Sequence, residues 1–232
     1  MRILHCSDFH GNKRWFDWLV DEAANYDLVC LTGDHLDLFN YHQLGDQLSM
    51  INATLRRITT PLALCSGNHD SFSGGPPVDS RLFQAKWLRE VRRPGVWIDG
   101  DQFELFGQNL RCVGWNAQVS SAAGNEIWLF HAPPAHSLVS AGIDGSEAGD
   151  EILGEICRAG NGPGIVLSGH QHDPRRWACR IGHTWCFNPG YDRNGACPNH
   201  ISIDTASWSA VLYTDRGAAA TMSVAPRGRG VF

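Results

Sequence analysis

The sequence predicts an α/β fold in which two β-sheets pack face to face with helices on the outside. Three observations carry that expectation. Short apolar runs alternate with helix-like segments through the first two thirds of the 232 residues, the pattern of a layered α/β arrangement. From residue 96 onward the apolar runs become shorter and closer, as hairpins require. Five of the apolar runs also end in a side chain that can bind a metal, four of them after a small residue.

The runs at 2–6, 28–31, 62–65, 126–130 and 164–167 read as strands. Segments 15–24, 42–58 and 81–91 have the length and mixed polarity of surface helices, and in the second Leu44, Leu48, Ile51 and Leu55 fall at helical spacing,. Residues 103–106 and 110–115 predict one hairpin. A second set, 176–180, 184–187, 201–203 and 208–213, predicts antiparallel strands closing the chain. The stretch 71–80, with paired Gly and paired Pro, is an irregular loop, and 116–125 is similar,. Length and composition predict a single domain over 1–215. The end, 216–232, is rich in Gly and Ala and carries Arg216, Arg227 and Arg229 without an acid, so a loosely docked tail is expected there,.

Composition narrows the function. A net charge of −5, from 19 Lys and Arg against 24 Asp and Glu, gives no global attraction for nucleic acid or an anionic membrane. An anionic substrate must be drawn locally. No apolar run approaches the roughly 18 residues of a membrane helix, and the first residues leave no room for a signal peptide. Eight scattered cysteines without close CxxC pairing read as reduced thiols, although Cys179 and Cys186 flank a turn and can face each other,. The expected compartment is the cytoplasm. No pattern in the chain assigns an oligomeric state.

The chemistry lies where the strands end. Asp8 and His10 follow Ser7; Asp34 follows Thr32 and Gly33; Asn68 follows Ser66 and Gly67; His131 follows Phe130; His170 and His172 follow Ser168 and Gly169. Loops at the carboxyl ends of neighbouring strands converge in space. Residues two apart in extended chain project to one side, so Asp8 with His10 and His170 with His172 are expected to grip together. The glycines at 33, 67 and 169 let the backbone approach a bound group. Carboxylate, imidazole and amide oxygen without thiolate suit manganese, iron or zinc. Seven ligands exceed one tetrahedral ion, so two divalent cations sharing a carboxylate are expected.

These residues resemble the ordered motifs of the calcineurin-like metallophosphoesterases: Asp8-Phe9-His10, Gly33-Asp34-His35-Leu36-Asp37, Gly67-Asn68-His69-Asp70, a lone His131 before Ala132-Pro133-Pro134, and Gly169-His170-Gln171-His172. The resemblance runs from residue 6 to about 190 and takes in Asn188-Pro189-Gly190. It implies a four-layer α-β-β-α metallophosphoesterase-like sandwich. It also implies that Asp8, His10 and His172 hold one metal, that Asn68, His131 and His170 hold the other, and that Asp34 bridges them. His69 would face the substrate and protonate or shield the leaving alkoxide, with Asp70 orienting it and raising its basicity. A hydroxide bridging the ions would be the nucleophile. Two such ions against Asp8, Asp34 and that hydroxide leave a local charge of about +1 to attract phosphate.

The remaining candidates have plainer readings beside them. His5, His42, His136, His183 and His200 read as structural or exposed. His35 should point away from the site and Asp37 should brace its loop. Most of the nine tryptophans belong to the core or a lid, while Trp115 with Asn116 is placed to line the pocket. Arg175 and Arg176 are either a solvated pair or contacts for a substrate phosphate. Asn12 is either the cap of the first helix or, within the resemblance, near that phosphate. The expected activity is phosphohydrolysis of a small phosphate ester, a diester before a monoester. Gly67-Asn68-His69-Asp70 with His131-Ala132-Pro133-Pro134 is similar to the cyclic-nucleotide phosphodiesterase branch, and Leu38-Phe39 and Asp70 stand where the protein phosphatase branch has Arg-Gly and a glutamate. A nuclease or phosphomonoesterase of the same fold is the alternative, and a catalytically silent binding scaffold is the alternative from another class.

Overall fold

Strand alternation divides the apolar residues between three cores, and that division positions the site. The computed structural model describes residues 1–71, 80–122 and 124–224, and for Tyr41 the backbone alone. In order the elements are β1 (Arg2–Cys6), α1 (Lys13–Glu22), β2 (Leu28–Thr32), α2 (Leu44–Leu55), β3 (Leu62–Cys65), β4 (Val96–Trp97), β5 (Gln102–Leu105), β6 (Gln108–Val113) and β7 (Ile127–Phe130). There follow α3 (Glu151–Arg158), β8 (Ile165–Leu167), β9 (Ala178–Ile181), β10 (Thr184–Phe187), β11 (His200–Asp204), β12 (Ser209–Thr214) and β13 (Gly217–Ser223). They build a seven-stranded sheet, β13-β12-β11-β1-β2-β3-β4, and a six-stranded sheet, β5-β6-β7-β8-β10-β9. Both are mixed: the runs β1-β2-β3-β4 and β6-β7-β8-β10 are parallel, and the outer pairs are antiparallel.

Side chains of successive strand residues point to opposite faces. Ile3, Leu28, Cys30, Ala63 and Cys65 of the first sheet therefore meet Ile127, Leu129, Ile165, Leu167 and Phe187 of the second in an inter-sheet core. Their neighbours Leu4, Val29, Leu31, Leu62 and Leu64 face outward onto Trp15, Phe16 and Leu19 of α1 and Leu48, Ile51 and Leu55 of α2. On the far side Trp128, Phe130, Val166 and Cys186 pack under Leu153 and Cys157 of α3. The layers are α-β-β-α, with the parallel strands buried on both faces, as their unbroken apolar runs require.

Several elements differ from the sequence expectation. Segment 81–91 is two 3-10 turns, Ser80–Leu82 and Lys86–Val91, because Gln84 and Ala85 between them adopt left-handed backbone (φ 52° and 48°) that interrupts an α-helical ladder,. The helix expected at 42–58 starts at Leu44, after a 3-10 segment at Leu38–Gln43. Helix α3 was not anticipated; its signal is the Asp150 cap, whose side chain accepts from Leu153 N at 2.7 Å,. Residues 217–223, expected in a tail, pair with β12 as an edge strand. Gly217 (φ 94°) makes the tight return, and the small alternating side chains fit a pleated surface,. Residues 225–232 lie outside the described residues, as does 72–79 of the expected loop. All eight cysteines are free thiols, and Cys179 faces Cys186 across the β9–β10 pair. Among the described residues no helix is long and apolar enough to cross a membrane.

Candidate metal centre

The carboxyl ends of β1, β2, β3, β7 and β8 deliver the seven expected ligands to one place. Asp8, His10 and His172 offer donor atoms within 4.8 Å of one another, and so do Asp34, His131 and His170; a third group joins His10 and Asp34 to His69. Asp34 lies between the groups, with Oδ1 3.3 Å from His131 Nε2 and Oδ2 3.9 Å from His10 Nε2. Asn68 Oδ1 stands 3.2 Å from His131 Nε2, and His172 Nε2 lies 3.6 Å from Asp8 Oδ1 and 3.1 Å from His10 Nε2.

The local geometry is not the extended chain the sequence suggested. Asp8, His10, Asp34 and His170 all have positive φ (59°, 44°, 51° and 66°), so each ligand is aimed by a sharp left-handed turn rather than by the alternation of a strand. Such conformations cost about 1–3 kcal/mol each and persist where surrounding bonds over-determine them. Here Asp8 N donates to Gly33 O (3.1 Å), His10 N to Asp34 O (2.8 Å), and His170 N to the Asp8 carboxylate (3.1 and 3.2 Å). Space is equally restrictive. A Cβ on Gly67 would stand 2.3 Å from Asp34 Oδ1, and one on Gly169 1.8 Å from Ser7 Oγ.

Charge and tautomer both favour cations. His131 Nδ1 lies 2.6 Å from Thr32 O; a carbonyl only accepts, so Nδ1 carries a proton and Nε2 faces the Asp34 and Asn68 oxygens. Burial pulls the His131 pKa down, but the Asp34 carboxylate beside it lifts it to about 9. The field that holds a proton on Nε2 is the field that would hold a metal ion there. His170 moves the other way, to about 4, through burial and then the charge of His131. Burial also lowers His10. Against the upward push of burial, His172 and His131 hold the Asp8 carboxyl below its usual value, and His131 does the same to Asp34. Oxygen and imidazole donors in two groups around one shared carboxylate fit two divalent cations.

The neighbours do not all sort as expected. Asp70 does not orient His69. Its carboxylate accepts from His35 Nδ1 (2.8 Å), from the backbone N–H groups of His35 and Leu36, and from Gly67 N (2.9 Å). It is therefore a buried clamp joining the loops after β2 and β3, close enough in sequence to His69 to mislead. His35 does point away from the donor cluster, as expected, and is buried on that clamp and against Trp87. His69 lies on the open side: its N–H donates to Asp34 Oδ1 (2.8 Å), its Nδ1 accepts from Leu38 N (3.3 Å), and its ring meets His10 and exposed Phe39. Asp37 braces its own loop, accepting from Phe39 N and the Asn40 amide, while Gln47 bonds Asp37 N and O.

Trp115 sets its ring 5.6 Å from His131 and 5.4 Å from His170. With Asn116 it lines a cleft of about 520 Å³ that includes Ser66 and Phe83. Arg175 donates to Gly142 O (3.1 Å) and lines a second cleft, about 510 Å³, with His172 and Tyr191. Asn12 occupies the N-cap of α1 without a side-chain cap bond, so the capping reading fails. Tyr191 went unread in the sequence, and Asn188 was read only as part of a motif, without a role. Tyr191 packs its ring on His172 (4.5 Å) and His10 (5.3 Å). Buried Asn188 Nδ2 donates to the carbonyls of Val139, Gly169 and Gln171, holding the His170 loop. The strand-end pattern that exposed the ligands recurs at Asn188-Pro189-Gly190-Tyr191 and is the signal that could have found both.

A family model described as calcineurin-like phosphoesterase matches residues 1–174. No curated protein matches the chain. Among solved structures, a dimetal phosphatase from Danio rerio superposes with a TM-score of 0.62 at 11% identity, over 97% of this chain and 99% of that one. Purple acid phosphatase PPD1 from yellow lupin gives 0.61 at 12% identity, over 96% of this chain and 53% of the lupin chain. An archaeal phosphodiesterase gives 0.56 at 17% identity, over 92% and 99%. At these identities the likeness is one of fold.

Proposed function

The chain belongs to the calcineurin-like phosphoesterase family, and from that premise we propose that it is a dinuclear-metal-dependent phosphohydrolase acting on a small phosphodiester. The observation that carries the reading is Asp34 between two sets of imidazole and oxygen donors, with an open face beside His69. Asp8, His10 and His172 would hold one cation and Asn68, His131 and His170 the other, with Asp34 available to both. Manganese, iron and zinc suit this donor set. When bound, such a pair clamps phosphate oxygens and lowers the pKa of water so that hydroxide is available near neutral pH.

The chain's own groups do the rest. The bond from Leu38 N to Nδ1 of His69 leaves the proton of the neutral ring on Nε2, where it shields a departing alkoxide with a hydrogen bond. Asp70 acts one step removed, fixing the loop from which His69 projects. Tyr191 and Trp115 wall the ligand imidazoles and exclude water. The preference for a diester is supported by the two clefts, one meeting the cluster at His172 and the other at Trp115, beside His131 and His170. A phosphodiester has two alcohol arms, and each cleft takes one.

Hydrolysis of bis(p-nitrophenyl) phosphate and p-nitrophenyl phosphate with added manganese tests the reading, with Asn68→Ala and His69→Ala beside the parent. Diester turnover well above monoester is expected. His69→Ala should keep its metal while losing turnover; loss of metal would make His69 a ligand. Faster monoester cleavage would make the protein a phosphomonoesterase, salt-sensitive cleavage of DNA a nuclease. Absence of metal-dependent hydrolysis would leave a binding scaffold.

A further inference from the structure

Strands β7 and β8 end at the metal centre, and their beginnings line a cavity of about 290 Å³ at the other end of the sandwich. Ile127, Ile165, Trp185, Trp208 and Val224, all part of or packed on the inter-sheet core, form apolar wall. Gly124 and Gly164 also line it, their backbones so close that a Cβ on Gly164 would stand 2.7 Å from Gly124 O.

Into this wall projects one cation. Arg180 lies on edge strand β9 directly opposite Trp185 of β10. Ala178, two residues earlier, belongs to the inter-sheet core, so Arg180 shares its inward face,. Its guanidinium lies 5.4 Å from the Trp185 ring centroid, a cation–π contact. Nε and Nη2 of Arg180 and Nε1 of Trp185 are buried and have no hydrogen-bond partner. The N–H groups of Nε and Nη2 share one edge of the guanidinium, which a carboxylate takes with two parallel bonds. Leaving a buried charged edge unpaired is costly. Two of the polar residues lining the cavity are engaged elsewhere: Glu126 accepts from Trp128 Nε1 at 2.6 Å, and His183 Nε2 bonds Gly162 O at 2.9 Å; Gln108 and Asn125 also line it.

We propose that this cavity binds a small organic carboxylate with an aromatic or aliphatic body, the carboxylate seated on the Nε–Nη2 edge of Arg180 and the body against Trp185 and Trp208. The fork presents two parallel donors on one edge, the match a planar carboxylate makes, so a carboxylate fits better than a phosphate dianion. The site is independent of the metal centre and of the activity proposed for it.

Phenylacetate is the probe, with phenylacetamide and phenyl phosphate as its uncharged and dianionic counterparts. The readout is the Trp185 indole N–H resonance of the full chain, assigned by its loss in Trp185→Phe. Phenylacetate is expected to shift it saturably, and phenylacetamide to bind about tenfold or more weakly, the difference a charge-assisted pair makes. Arg180→Met should abolish the shift. Arg180→Lys, which keeps charge but not the fork, should weaken binding about tenfold and serves if the methionine variant fails to fold. Equal affinity for acid and amide, tighter binding of phenyl phosphate, or a resonance unmoved by phenylacetate would overturn the proposal. The last result, with self-association of Arg180→Met, would mean that Arg180 merely keeps edge strand β9 from pairing with another chain.

Discussion

His35 and His69 each follow a candidate metal ligand, yet one looks into the protein and the other out of it. His35 is buried against Trp87 with its Nδ1 on Asp70. His69 stands beside the cluster and an 86% exposed Phe39, with one ring nitrogen committed to Leu38 N. The same residue type at equivalent loop positions thus holds two loops together in one case and faces outward beside the donor cluster in the other. What separates the two is the partner each ring nitrogen finds on the neighbouring loop, and a carboxylate adjacent in sequence is no guide to that partner.

The contrast can be broken from either side. The largest effect is expected at the group common to both cation sites: Asp34→Ala should reduce bound metal and phosphoester hydrolysis together to background, read by elemental analysis and diester turnover. On the inner layer, Asp70→Ala leaves buried N–H groups of His35, Leu36 and Gly67 without an acceptor. A loss of about 3–5 kcal/mol is expected in urea unfolding of the metal-free protein. On the outer layer, His69→Ala should lower kcat by about 10²- to 10⁴-fold with an unchanged unfolding midpoint. A stability loss like that of Asp70→Ala would erase the distinction between the layers.

Proton linkage sharpens it further. The folded pKa of His131, about 9, is above its ordinary 6.5. Its contribution to the metal-free protein is full below 6.5 and lost as pH rises through about 9. His170, lowered to about 4, contributes stability present above 6.5 and lost as pH falls toward 4. Thermal midpoints of the metal-free protein should therefore decline between pH 6.5 and 9, and saturating manganese should flatten that alkaline decline, because metal replaces the proton on Nε2. The smallest effect is expected at the rim: Phe39→Ala should raise KM for an aryl diester about two- to tenfold, the weight of one aromatic contact, with kcat retained.

The five strand-end motifs were legible in the chain because apolar runs, small residues and ligand types are local patterns, and each run at 2–6, 28–32, 62–65, 127–130 and 165–167 is a strand. Segment 81–91 was misread because its apolar spacing suits a helix while Gln84 and Ala85 take backbone conformations that composition does not reveal. The roles of Asn188 and Tyr191 escaped because their partners lie on other loops: Asn188 bonds Val139, 49 residues away.

Residue order alone therefore carried the layered architecture, the ligand types and their convergence, since burial period and strand-end chemistry are written over a few neighbouring positions. Three-dimensional packing settled which histidine Asp70 holds, which ring nitrogens face outward, and that Arg180 points into an apolar cavity with an unpaired edge. The reason is range: hydrogen-bond pairing is fixed by approaches of about 3 Å between chain segments tens of residues apart, and no local pattern encodes which groups will make them.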